Sequence, residues 1–247
     1  MTSEPAPAAG ESTGKALLSR VLVLGANGPT GRHVVQQAVE RGHQVIALTR
    51  NPDAFPLRHQ HLDVMGGDAT VPAIIDDVVA RCDEVISVIG TAFTRRPVNV
   101  YSLSARLVVD AMQRHGKHRL LVVTSAGLTP MHQRGNSSFL ERLLTPMARR
   151  SFGRTVYDDM ERMETLVKAT DLNWTVVRPP GLTSEPGTGY AAAETWIDGG
   201  YCARNDLAAM LLDQLDDEQT SQRTMAVSTP GLRVRTLRTI QRELLKR

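Results

Sequence analysis

The stretch Gly25-Ala26-Asn27-Gly28-Pro29-Thr30-Gly31 restricts chemistry more than any other part of the chain. Its three glycines stand three residues apart, between the apolar run Val21–Leu24 and a helical pattern from His33 to Glu40. A backbone wraps a diphosphate closely only where side chains stay out of the way. A helix that begins at such a loop also offers unpaired N–H groups and a positive dipole end. Gly25, Asn27, Gly28, Pro29, Thr30 and Gly31 are therefore the expected nucleotide cradle.

Further candidates follow at the ends of later apolar runs. Arg50 lies about 20 residues past the loop, where the adenosine ribose should lie. An acid there would accept from a 2′-hydroxyl; a guanidinium instead pairs with a 2′-phosphate, which favours NADP over NAD. Arg32 and Arg58 are candidates for added charge in the same pocket. Asp68 and Ala69, in Gly67-Asp68-Ala69, are placed against the adenine edge, and Ile89, Gly90 and Thr91 beside the nicotinamide half. Ser125 should project a hydroxyl toward nicotinamide and substrate, although a serine there also suits nearby backbone groups.

These residues need a scaffold of alternating elements. Strands are expected at Val21–Leu24, Gln44–Leu48, His61–Met65, Glu84–Ile89, Leu120–Thr124 and Trp174–Val177. Helices are expected at Pro29–Arg41, Val71–Ala80, Asn99–His115 and Thr155–Thr170. A glycine-rich loop runs to about Gly189. Beyond it come a strand-like stretch at Ala192–Ile197, a helix at Asp206–Leu215, a strand at Thr224–Ser228 and a basic terminal helix over about 232–246. The rhythm predicts an α/β, Rossmann-type doubly wound parallel sheet in a single domain over 19–247, after a disordered tail over 1–18. An insertion is expected at about 128–154, after strand five.

The chain has 247 residues, 41% hydrophobic and 22% charged, as in ordinary globular proteins. Aromatics at 4% and a net charge of +3 argue against nucleic-acid binding. No apolar run spans a bilayer, and the N-terminus lacks the pattern of a signal peptide. Cys82 and Cys202 suggest neither a disulfide framework nor a metal site, so a cytoplasmic setting is expected and no metal is assigned. The expected partner is a small-molecule substrate, with the chain a monomer or homodimer and no membrane involved.

In series, the glycine loop, Leu48-Thr49-Arg50-Asn51-Pro52, Gly67-Asp68, Thr124-Ser125 and Trp174-Thr175-Val176-Val177-Arg178-Pro179-Pro180 resemble the atypical, NAD(P)H-binding (NmrA-like) branch of the short-chain dehydrogenase/reductases. Asp158-Asp159-Met160-Glu161-Arg162-Met163 strengthens a likeness to the biliverdin reductase B, or flavin reductase, type. The likeness covers roughly 20–228. It adds Thr124, Pro179 and Pro180 to the residues expected around NADP(H), and makes Tyr157 a catalytic candidate beside Ser125. The departures bear on catalysis. Typical dehydrogenases of the superfamily carry Tyr-x-x-x-Lys, but Glu161 stands where the lysine would follow Tyr157. Histidines of the biliverdin reductase type are replaced by Gly181 and Met160, and an arginine after the strand-four Gly-Thr by Ala92.

The expected activity is NADPH-dependent hydride transfer to a conjugated acceptor, a flavin, quinone or related molecule, for which water supplies the proton. Ketone reduction would ask more of a protein acid. A non-catalytic NADP-binding redox sensor, and an isomerase, epimerase or cyclase on the same fold, fit the same residues.

Overall fold

A computed structural model of the protein describes residues 18–94, 96–130, 154–215 and 217–232. The expected tail over 1–17, most of the insertion (131–153) and the terminal helix beyond 232 lie outside the described residues. The strands are β1 (Arg20–Leu24), β2 (Gln44–Thr49), β3 (Leu62–Gly66), β4 (Glu84–Ser87), β5 (Arg119–Val123), β6 (Asn173–Arg178), β7 (Gly181–Thr183), β8 (Ala191–Glu194), β9 (Tyr201–Ala203) and β10 (Arg223–Ser228). The helices are α1 (Pro29–Glu40), α2 (Pro72–Ala80), α3 (Val100–Arg114), α4 (Arg154–Lys168) and α5 (Arg204–Asp213).

Eight strands form one sheet in the order β3-β2-β1-β4-β5-β6-β10-β8. The first six make the doubly wound Rossmann arrangement, whose order reverses between β1 and β4. Strands β1, β2, β4, β5 and β6 of this parallel part are largely buried along their length because both faces are covered, whereas the edge strand β3 is not. Successive side chains leave a strand on opposite sides. Leu22 and Leu24 of β1 pack in one layer with α2, α3 and α4, whereas Val21 and Val23 pack in the other with α1 and α5.

Three features depart from the expected parallel sheet. Strand β8 pairs antiparallel with β10 at the sheet edge. The glycine-rich stretch expected to be a loop contains β7, which pairs in parallel with β9 as a separate ribbon. Strand β4 ends at Ser87, two residues short of Ile89, so Val88–Thr91 belongs to the loop that leaves the sheet.

Polar groups at the amino ends of the strands satisfy one another. Ser19 Oγ donates to Glu84 Oε2 at 2.6 Å and lies 3.2 Å from Nδ1 of buried His43. The buried Arg119 guanidinium donates to the carbonyls of Leu215, Asn173 and Gln214 and to the hydroxyls of Thr175 and Thr220. Among the described residues no helix is long and apolar enough to cross a membrane.

Candidate functional site

Register brings the candidate residues to one edge. Leu24 lies level with Leu48 and Ser87, Ser87 with Val122, and Val123 with Val177. The segments that follow, Gly25–Gly31, Arg50, Val88–Thr91, Thr124–Ser125 and Pro179–Pro180, therefore all leave the carboxyl ends of neighbouring strands. In open α/β sheets, ligands bind there, at the reversal of strand order.

The glycine loop is built so that two of its glycines cannot carry a side chain. Gly25 has φ +77°, and a Cβ on it would sit 2.8 Å from the Val88 carbonyl oxygen. A Cβ on Gly31 would meet Gly25 O at 2.2 Å and Ala26 Cα at 2.7 Å. The loop closes through Gly28 N donating to Gly25 O, and the helix starts with Arg32 N donating to Gly28 O, each at 3.0 Å. Gly28 is the N-cap of α1 and caps nothing with a side chain; Pro29 at N1 has no N–H to lose. The amides of Thr30 and Gly31 remain as helix-end donors. These closely approached, side-chain-free turns fit a dinucleotide diphosphate. Asn27 is engaged differently from a free ligand contact, since Arg32 Nε donates to both its carbonyl and its Oδ1.

Arg50, expected at the ribose, follows β2 directly and is exposed. Arg58 is committed elsewhere: its Nη1 donates to the carbonyls of Phe55 and Leu57. Asp68 Oδ1 accepts from Thr70 Oγ1 at 2.7 Å and Thr70 N at 2.8 Å. Those bonds, helped by the charge of Arg50, hold its carboxyl below the usual range. Asp68 thus shapes the turn after β3, and one of its oxygens is already used. Ala69 is half-buried against the core.

The loop after β4 is pinned by Tyr101, a residue outside the motifs. Thr91 N donates to the hydroxyl of buried Tyr101 at 3.1 Å. Burial pushes the Tyr101 phenol up. The start of α3, which carries Tyr101, is capped from another helix. Asp159 of α4 is fully buried and accepts from Tyr101 N at 2.9 Å and from Ser102 Oγ. Its signal in the sequence was an acid three residues after Val156 and four before Met163, on what is otherwise an apolar face. Ile89 packs against the core, and Gly90 faces open space, with nothing within 4 Å of a Cβ built on it.

Ser125 and Tyr157 meet the same turn, each beside Gly127. Ser125 opens a single 3-10 turn, Ala126–Leu128, and its Oγ accepts from Gly127 N at 3.1 Å. An oxygen that accepts still has its own proton to donate. Tyr157 lies against the same turn: a Cβ on Gly127 would sit 2.8 Å from Tyr157 Cε1 and 3.0 Å from its hydroxyl oxygen. Ala126 N donates to Pro179 O at 2.8 Å, which draws Pro179-Pro180 to the serine.

Thr124 is placed differently from the expectation that its side chain meets a cofactor. Its hydroxyl donates inward to Glu164 Oε1 at 2.8 Å. Glu164 also takes two bonds from Arg178 and one from Lys168. Burial pushes the Glu164 carboxyl up, but bonds from Arg178 and Lys168 outweigh this and hold it low. Glu164 and Arg178 thus tie the ends of β5 and β6 together beneath Ser125.

Known proteins resemble this chain in sequence or in fold. The NAD(P)H-binding family matches residues 25–218. YhfK of Bacillus subtilis, named an uncharacterized sugar epimerase, is 24% identical over 83% of this chain and 91% of its own. ChuY of Escherichia coli O157:H7, described as an anaerobillin reductase, superposes with TM-score 0.71 at 23% identity, covering 87% of this chain and 99% of that one. A Veillonella parvula short-chain dehydrogenase/reductase in complex with NADP gives TM-score 0.72 at 17% identity, over 87% and 96% of the two chains. With the family match running from the first glycine of the loop to the turn before β10, the chain belongs to the NAD(P)H-binding family of Rossmann-fold proteins.

Proposed function

We propose that the protein is an NADPH-dependent reductase that passes hydride to a conjugated small-molecule acceptor of the flavin or quinone kind. The observation that carries this reading is that Ser125 and Tyr157 both meet Gly127 of the turn at the carboxyl edge, with Glu161 in the place of a lysine. Ser125 has a proton to donate to an acceptor oxygen or nitrogen and is held by Gly127 N. Without the lysine, Tyr157 is poorly equipped to exchange a proton with a ketone or alcohol. A conjugated acceptor needs less, because its charge is delocalised and water can protonate it.

The chain's own contributions are binding and orientation. The amides of Thr30 and Gly31 would hold the diphosphate, and Arg50 would pair with a 2′-phosphate. When bound, reduced nicotinamide supplies two electrons and one proton together as hydride. Ser125 orients the acceptor, and the remaining proton comes from solvent. The reductase description of ChuY supports an oxidoreductase of this general type.

NADPH oxidation with a panel of flavins and quinones tests the reading. Turnover with at least one acceptor is expected, and Ser125→Ala should lower kcat about 100-fold, with the Kd for NADPH unchanged. Tight NADPH binding with no oxidation by any acceptor would instead favour a redox sensor. The name given to YhfK raises a second activity on the same fold, epimerisation. Conversion of a sugar nucleotide with no net change in nicotinamide absorbance would replace reduction with that chemistry.

A further inference from the structure

Phe93 is the only aromatic among the large exposed hydrophobic side chains of the described residues, with 64% of its surface open to solvent. A lone exposed apolar side chain is unremarkable on a protein surface. Phe93 differs in where it stands and how it is held. It lies on the loop that leaves β4 at the carboxyl edge. That loop is fastened on both sides of the ring: Thr91 N donates to Tyr101 OH at 3.1 Å, and Thr94 O accepts from Thr155 Oγ1 at 2.8 Å. The anchors belong to α3 and α4, whose meeting is in turn fixed by buried Asp159. The ring lies 6.0 Å from the Tyr157 ring, centre to centre, tilted by 34°. Tyr157 packs on Gly127, whose amide binds Ser125 Oγ. An exposed apolar ring thus stands on a backbone fastened at both sides, next to the tyrosine that meets the serine's turn.

We infer that Phe93 is a specificity-determining residue, which with Tyr157 forms an aromatic wall against which a flat, conjugated ligand stacks beside Ser125. The inference deepens the reductase reading and rests on it for the ligand being an electron acceptor. Stacking demands a π-face and little else, so the wall selects flat ring systems without selecting among their polar substituents. Among the described residues, nothing lies within 4 Å of a Cβ built on Gly90, three residues earlier.

Flavin mononucleotide and a soluble naphthoquinone are the probes, each titrated by fluorescence into the full chain with NADP present. Binding is read without turnover. Phe93→Ala should weaken both probes roughly tenfold, and Phe93→Trp should restore them. NADP affinity and melting temperature should stay as in the unmodified protein, since the ring is exposed. If Phe93→Ala binds both probes as tightly as the parent, or if the parent binds neither, the aromatic wall is overturned. If the probes bind in a Phe93-dependent way but oxidise no NADPH, the wall stands and the reductase reading falls.

Discussion

The two edges of the sheet handle their polar groups in opposite ways. At the amino edge, Ser19, His43, Glu84 and Arg119 are engaged with one another or with carbonyls and hydroxyls. At the carboxyl edge, α1 begins with no side-chain cap, Ser125 has a proton to donate, and Arg50 lies exposed. Buried polar groups left without partners are costly, so a fold closes them where nothing else will arrive. The edge at which donors stay open is the edge built for a ligand. A cluster with the composition of a catalytic site, such as Ser19-His43-Glu84, is therefore no site when its members already satisfy one another.

Substitutions divide along that contrast. Glu164→Gln breaks a charged pair at the base of the carboxyl edge and leaves buried Arg178 without its partner, which should lower stability by about 3–4 kcal/mol. Because the folded state holds this carboxyl low, its stabilisation is complete above the ordinary glutamate range and is lost as pH falls through the depressed folded value. Denaturant titrations of parent and variant should accordingly converge in acid; a gap that widens on acidification would contradict the pairing. Arg119→Met at the amino edge should cost about 3 kcal/mol by stranding the carbonyls it serves, with no change in NADPH affinity by calorimetry.

Gly31→Ala makes the opposite test. Its Cβ meets backbone rather than flexible side chains, so the loop must move; about 2–3 kcal/mol of stability and most NADPH binding should go together. Affinity unchanged in Gly31→Ala would remove the glycine loop from the binding site. The smallest expected effect is at Arg50. Arg50→Asp should leave the melting temperature alone and weaken NADPH by about 1–2 kcal/mol while sparing NADH. Equal affinity of the parent for the two dinucleotides would end the assignment of Arg50 to the 2′-phosphate.

The parts of the molecule legible in the sequence are those with strong periodicity or backbone necessity. Strand β1, the glycine loop and α1 form one such unit, because an apolar run, three glycines and a 3.6-residue period agree. The ribbon of β7 and β9 was hidden by its length, since three residues show no period. The direction of β8 depends on its pairing with β10, which local pattern does not encode. In the site, main-chain roles were readable and side-chain partnerships were not. Thr124 stands beside Ser125 in sequence, yet strand alternation turns its hydroxyl toward Glu164, 40 residues on. Tyr101, Asp159 and Glu164 look like ordinary helix residues until the packing of α3 against α4 buries them.

The two thiols offer a use of their own. Cys82 lies in the layer with α2, α3 and α4, and Cys202 in the layer with α1 and α5. Burial raises them to about 12 and about 11, so neither is a nucleophile while its layer is intact. Alkylation therefore reports separately when each half of the sandwich opens, and mass spectrometry of the modified peptides would reveal whether the two halves come apart as one unit or in turn.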